Sequence, residues 1–236
     1  MFNWFSQIIA VTQFSMRSLP QRKGSSATTM LGITGVVAVM VGVLSIAQGV
    51  LKTMESSVGD NNAIVLRSGS DTEMMSGLAG DDTRIIAEAP GIARDETGPL
   101  ASAELFVIIN LPMRSTGTDA NVPMRGVKAQ AMSVRRSFRL IEGRMFAWGL
   151  NEVIVGTGAQ GQFTGLDIGS SIEVGQEHWL VVGVFEVGGG MAESEIWVDA
   201  AVLQPAFRRG NSYQAVYVKL ESHDAYVEFK ETLTSD

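Results

Sequence analysis

The sequence predicts an α+β protein in two parts, an N-terminal helical segment that meets a membrane and a larger outer domain of short strands and helices. Three observations carry that expectation. Residues 24–51 contain no charged side chain, and Arg22 and Lys23 flank them on one side and Lys52 on the other. No comparable stretch recurs downstream. Beyond Met54 the pattern changes to short apolar runs separated by Gly, Pro, Asn and Asp, which is the punctuation of strands and turns.

The first element is an amphipathic helix over residues 1–20. Phe2, Phe5, Ile8, Ile9 and Thr12 recur at helical spacing, and Trp4 and Phe14 add aromatic rings suited to a membrane surface. Pro20 is expected to end it. The second element is a transmembrane helix over 24–51. At about 1.5 Å per residue it reaches roughly 42 Å, against a hydrocarbon core of about 30 Å. The apolar run exceeds the 7–15 residues of a signal-peptide core, which favours a retained anchor. Arg17, Arg22 and Lys23 precede the span with no acid, whereas Glu55 and Asp60 follow it. The positive-inside rule then puts the N-terminus in the cytoplasm and the main domain outside.

Within that span Thr28, Leu31, Gly35, Ala38, Gly42, Ser45 and Gly49 follow steps of three and four residues. From Gly35 onward every member is small. Gly35, Ala38, Gly42, Ser45 and Gly49 are therefore the candidate helix-packing residues, because small side chains let a second helix come close.

In the outer domain the order of elements is read from apolar runs and breakers. Residues 63–67 form a strand; Asp81 or Asp82 caps a helix through Ala89, which Pro90 and Gly91 stop. Residues 101–111 are a strongly apolar strand ending at Pro112, residues 121–130 a second, and 133–139 a short basic helix. Residues 152–155, 171–174, 179–185 and 194–198 are strands divided by Gly-rich turns, the pattern of a small β-subdomain. Residues 214–220 are a strand and 222–233 a helix with Tyr226, Phe229 and Leu233 on one face. A chain ending at Asp236 just after such a helix is expected to be a fragment or a natural truncation.

Composition narrows the function. The net charge is −7 and no basic cluster stands out, which argues against nucleic acid. With no cysteine there are no disulfides and no thiolate metal sites. Gly156, Gly158 and Gly161 have the GxGxxG spacing of a pyrophosphate cradle, but Gly165 and Gly169 break the long helix that a dinucleotide fold needs next. No Walker A sequence occurs. His178 and His223 stand alone, and no serine sits in a nucleophile elbow. Glu186, Glu193 and Glu195 flank Gly188–Gly190 and read as solvated charges around a mobile glycine loop. Arg135 with Arg136, and Arg208 with Arg209, read as surface or partner-facing pairs. Neither a catalytic residue nor a cofactor is assigned.

Several blocks resemble the MacB/FtsX-type ABC transporter permease. Residues 29–38, TMLGITGVVA, resemble the start of that family's first span. Leu140, Gly143, Arg144 and Phe146 match its L-x-x-G-R-x-F turn. EVIVG at 152–156, GLDIGSSI at 165–172 and WLVVGVF at 179–185 resemble the blocks that follow. The resemblance implies an extracytoplasmic domain with two lobes: 52–150 with 211–236 as the first lobe, and 151–210 as an inserted β-rich lobe. Residues 1–23 and 24–51 are then the cytoplasmic amphipathic helix and the membrane span.

It also implies three further spans after this domain, an inner-membrane location, and a permease subunit that works with a cytoplasmic ABC ATPase subunit. The partners expected are that ATPase, a second copy or paired permease, a periplasmic adaptor and membrane lipid, with no nucleic acid and no enzyme activity. In such a permease the motions of the membrane helices pass to the outer domain, and the small-residue stripe serves that transmission. A single-pass anchored binding or scaffold protein of the envelope is the alternative. No residue pattern names a cargo.

Overall fold

The computed structural model describes residues 2–18, 23–58, 61–135 and 137–234. The chain divides into two units, residues 1–52 and 53–236. In the first, α1 spans Phe2–Ser18 and α2 begins at Lys23 and continues to Val58. Pro20 and Arg22, expected to break and flank these helices, lie outside the described residues, as do Asp60 and Arg136. α2 holds the apolar stretch Ala27–Val50, with mean hydropathy 2.3 and none of its best window buried. At about 1.5 Å per residue this stretch spans roughly 36 Å, enough for a bilayer core. Trp4, Phe5, Ile8, Ile9 and Phe14 of α1 are exposed.

The second unit starts with β1 (Asn62–Val65) and a 3₁₀ turn at Glu73–Met75. Then come β2 (Leu78–Ala79), α3 (Gly80–Ala87), β3 (Arg94–Asp95), β4 (Gly98–Pro99), β5 (Ala101–Pro112) and β6 (Asp119–Val127). A short α4 (Ala131–Val134) leads to β7 (Phe138–Gly143), β8 (Glu152–Gly156), α5 (Thr157–Gln162), β9 (Ser171–Val174) and β10 (Glu177–Val187). A second 3₁₀ turn, Met191–Ser194, precedes β11 (Ile196–Asp199) and α6 (Ala200–Ala206). β12 (Ser212–Tyr213), β13 (Ala215–Lys219) and α7 (Ala225–Thr234) complete the order.

One mixed sheet organises these elements, in the order β1-β13-β5-β6-β11-β8-β10-β7, with β9 added beside β10. Its middle is a parallel pairing of β6 with β11, in which Arg125 lies opposite Trp197. β8 and β10 are also parallel. β9 and β10 form the antiparallel hairpin expected around Gln176 and Glu177.

Strand alternation gives the sheet two unlike faces. One face buries Leu105, Val107, Ile109 and Leu111 of β5 with Val122, Met124, Val153, Val155, Ile196 and Val198. Toward β13 the same apolar layer continues as Ala101, Ala103, Val216 and Val218, together with Ile86 of α3 and Phe229 of α7. The opposite face is aromatic and charged. It carries Val127, Ile154, Phe185 and Trp197 as a third cluster, with Phe146 against it. Trp197 stacks on Phe138 at 5.6 Å and 9° and lies 4.4 Å from Phe185.

Two local expectations are corrected. Neither Asp81 nor Asp82 is the first cap of α3: both lie in its first turn, and Asp82 Oδ2 accepts the Ala79 N–H at 3.2 Å. Gly80 opens the helix because a Cβ there would sit 2.2 Å from the Asn211 side chain. The basic helix expected at 133–139 is instead the single turn α4, and Phe138 already belongs to β7. Phe138 is drawn into the sheet by its packing on Phe185 and Trp197, a tertiary contact that outweighs local helix preference. α6 falls between the strands read at 194–198 and 214–220. Asp199 caps it, its Oδ1 accepting the Ala201 N–H at 2.8 Å.

Candidate functional site

The charged face of the sheet builds a buried ion network from residues far apart in sequence. Glu104 interrupts the apolar run of β5, and Arg125 sits within β6 opposite Phe106. Glu195 directly precedes β11, and Tyr217 projects from β13, where Ser102 is its register partner on β5. Glu73 arrives on the first 3₁₀ turn and Arg135 immediately after α4. Glu104, Arg125, Arg135 and Glu195 are all buried, Glu104 completely.

Arg125 is the hub, and each of its five N–H groups has an acceptor. Nε donates to Glu195 Oε2 at 2.7 Å. Nη1 donates to Glu73 Oε1 at 3.0 Å and to Glu104 Oε2 at 3.1 Å. Nη2 donates to Glu73 Oε2 at 2.9 Å and to Glu195 Oε1 at 2.8 Å. Arg135 grips Glu104 from the other side, Nη1 to Oε1 and Nη2 to Oε2, both at 2.7 Å. The Trp197 indole N–H donates to Glu195 Oε2 at 2.8 Å. Both guanidiniums also lie over the Tyr217 ring, Arg135 at 4.2 Å and Arg125 at 5.2 Å.

Burial and pairing pull the ionisation equilibria in opposite directions here, and pairing wins. Burial alone would lower the Arg125 pKa, but the Glu195 carboxylate above all holds it well above the ordinary arginine value. Arg135 behaves likewise through Glu104. Burial would raise Glu73, yet the charge and hydrogen bonds of Arg125, helped by the Tyr217 hydroxyl, keep it below the usual carboxylate value. Burial raises the Tyr217 phenol, so it remains a neutral donor. Arg125, Arg135 and Glu73 are thus held in their charged forms and Tyr217 in its neutral one.

Above this floor lies a cavity of about 570 Å³, lined by Ile64, Glu73, Phe106, Pro123, Arg125, Arg135, Met191, Ala192, Ser194, Glu195 and Tyr217. The two 3₁₀ turns border it, and Met191 on the second is 61% exposed.

The structure corrects the sequence reading of the surrounding charges. Arg135, expected at the surface, is buried in the network. Its neighbour Arg136 lies outside the described residues, while Arg208 and Arg209 are exposed. Glu186, Glu193 and Glu195 are not solvated charges around a loose loop. Glu186 pairs with Arg139, and Glu195 is the partner of Arg125. Glu193 Oε1 accepts the N–H groups of Val187 at 2.9 Å and Gly189 at 2.7 Å, which fastens the glycine loop to the second 3₁₀ turn.

The GxGxxG spacing has a packing explanation. A Cβ on Gly156 would lie 2.2 Å from the Glu193 carbonyl oxygen, and one on Gly158 3.0 Å from it. Those glycines admit the second 3₁₀ turn. The helix after them, α5, has only six residues. His178 and His223 are exposed and apart, and among the described residues no group of acids and histidines is placed to hold a metal ion.

The small-residue stripe is carried by α2 as a continuous helical face. Gly35, Ala38, Gly42, Ser45 and Gly49 are all exposed. A Cβ added to Gly35, Gly42 or Gly49 would meet no atom within 4 Å. Ala38 and Gly42, with Ile33, Thr34, Val37 and Val41, line a shallow open groove on the helix.

Sequence reasoning missed Glu73, Glu104, Arg125, Trp197 and Tyr217. Glu104 and Arg125 did leave a trace, as single charges inside otherwise apolar strands.

Comparison with known proteins adds the following. A family described as the MacB-like periplasmic core domain matches residues 26–236. The fold is similar to the periplasmic region of MacB from Actinobacillus actinomycetemcomitans, with a TM-score of 0.54 and 14% identity over 76% of this chain and 85% of that one. It is also similar to the extracellular domain of the noncanonic ABC-type transporter YknZ from Gram-positive bacteria. That match has a TM-score of 0.51 and 18% identity, covering 72% of this chain and 88% of the other. A search of curated protein sequences found no match.

Proposed function

The chain belongs to the family of MacB-like periplasmic core domains, and on that premise we propose that it is a permease subunit of an ABC transporter. Its role in this proposal is to couple ATP hydrolysis by a separate cytoplasmic ATPase to export or to conformational work outside the membrane. A single observation carries the proposal. The family match runs without interruption from the apolar helix α2 through the whole outer domain, so span and domain are one inherited unit. One similar fold, that of YknZ, comes from a noncanonic ABC-type transporter.

In this reading α2 crosses the inner membrane with the N-terminus in the cytoplasm, as the basic residues before it favour. α1 lies along the membrane surface through its exposed aromatic residues. The division into lobes, 52–150 with 211–236 and 151–210 inserted, belongs to the same proposal. Its support is the chain path: β8, β9, β10 and β11 fall in the inserted stretch, and β13 returns beside β5. β7 comes from the first stretch and pairs with β10. The small-residue face of α2 would pack against another span of the same or a paired permease.

The test is purification of the full gene product from its native membrane in a mild detergent. An ABC ATPase should co-purify in comparable amount, with its ATP hydrolysis changed by the permease. Recovery of the intact membrane protein without any ATPase, under conditions that preserve such complexes, would favour an anchored scaffold instead.

A further inference from the structure

We propose that the cavity above Arg125 binds a ligand that carries one primary or secondary ammonium group on a small apolar or aromatic body. The inference does not rest on coupling to an ATPase. Its volume, about 570 Å³, lies within the range of roughly 300–1,000 Å³ common for small-ligand sites. Ile64, Phe106, Pro123, Met191 and Ala192 give it apolar walls.

Two arginines line the cavity, but each sits on carboxylates, and an entering anion would also face Glu73 and Glu195. All five Arg125 donors are committed to Glu73, Glu104 and Glu195. Arg135 commits both terminal nitrogens to Glu104. The carboxylates that line the cavity keep acceptor capacity. A carboxylate accepts about four hydrogen bonds. Glu195 accepts three, from Arg125 twice and from Trp197. Glu73 accepts two from Arg125. Both of these carboxylates line the cavity.

Charge balance points the same way. The network holds three acidic groups, Glu73, Glu104 and Glu195, against two guanidiniums. An ammonium group entering from the cavity supplies the third cationic partner beside Glu73 and Glu195. The ring face of Tyr217 is already covered by both guanidiniums, and Arg125 lies 4.9 Å over Phe106. An aromatic cage for a quaternary cation is therefore not available, and the ligand must be held by N–H donors.

The test uses the full chain in lipid nanodiscs with ¹³C-methyl methionine, and benzylammonium as the probe. The Met191 methyl resonance should shift saturably with benzylammonium. Benzyltrimethylammonium, which cannot donate, should bind at least about tenfold more weakly, and benzoate should not bind. Glu73→Gln should abolish the response. Because that change also loosens Arg125, Met191→Lys provides an independent check. It tethers an ammonium at the rim, so it should raise the melting temperature and remove benzylammonium binding measured by calorimetry. Equal binding of benzoate or of the quaternary probe would overturn the proposal, as would an unmoved Met191 resonance or undiminished binding by Met191→Lys.

Discussion

Arg144 and Glu152 face each other fork to fork across the entry to β8: Nη1 meets Oε2 and Nη2 meets Oε1, each at 2.6 Å. Glu152 Oε2 also accepts the Ala147 N–H at 2.9 Å. One carboxylate thus closes the turn formed by residues 144–152. The adjacent Gly143 has φ of +74°, and a Cβ there would lie 2.3 Å from the Val182 carbonyl oxygen. Phe146 then plugs the aromatic cluster. The L-x-x-G-R-x-F block is accordingly a backbone clasp, in which the glycine, arginine and phenylalanine each have a separate mechanical task.

The clasp has a pH signature. The Arg144 guanidinium, through its hydrogen bonds, holds the Glu152 carboxyl at a pKa of about 2. This lies below the unfolded value of about 4.3. The pair therefore adds stability that is fully present above the unfolded pKa and lost as pH falls through the folded one. Melting temperatures of the wild type should drop between about pH 4.5 and about pH 2, and Glu152→Gln should flatten part of that drop. An identical acid profile in the variant would exclude Glu152 as a contributor.

The Arg125 hub should dominate the stability of the charged face. Arg125→Met leaves Glu73, Glu104 and Glu195 without their shared cation, and removal of one member of a buried pair costs about 3–5 kcal/mol. Urea denaturation should report a loss of that size. Arg84→Ala breaks the exposed pair with Asp81 and should change stability by less than about 1 kcal/mol. Similar effects from the two variants would show that the network contributes no more than a surface pair.

Gly156 and Gly161 share a motif but not a task. Gly156→Ala drives a methyl into the Glu193 carbonyl and should destabilise the domain by about 1–3 kcal/mol. Gly161→Ala meets nothing within 4 Å and should lie within about 0.5 kcal/mol of wild type. Thermal melts with added NAD or ATP should show no shift. A nucleotide-dependent rise in melting temperature would restore the phosphate-cradle reading.

The packing face of α2 is tested by Gly42→Leu. A large side chain on a face of small residues keeps helices apart, so crosslinking between membrane spans and migration on native gels should weaken. The outer domain should melt as before. Unaltered crosslinking would mean that Gly42 faces lipid.

Periodicity and breakers made most strands visible. The run 101–111 became β5 within one residue, because an unbroken apolar strand is bounded by its own chemistry and Pro112 closes it. Residues 171–174 and 152–155 were equally plain. α6 was hidden by Pro205 near its end, although Asp199 followed by two alanines is a readable cap. α5 was hidden by its glycines, whose cause lies in the distant backbone of Glu193.

The site was less legible for the same reason. Arg135 looks like a surface charge beside Arg136, and nothing local reveals its partner Glu104, 31 residues away. What the sequence did offer was contradiction: a glutamate inside 101–111 and an arginine inside 121–130. A lone charge in a buried strand has to be neutralised by something remote, and reading those two together would have anticipated the network.

The parallel seam between β6 and β11 has a mechanical consequence. The eight strands from β1 to β7 lie side by side, and at about 4.8 Å per step they form a plate roughly 34 Å wide. Its central hydrogen bonds join residues some 70 positions apart, and Arg125 with Glu195 rivets the same line from above. A pull along the strands loads all the bonds of that seam at once, in shear, so they must fail together and cannot unzip singly.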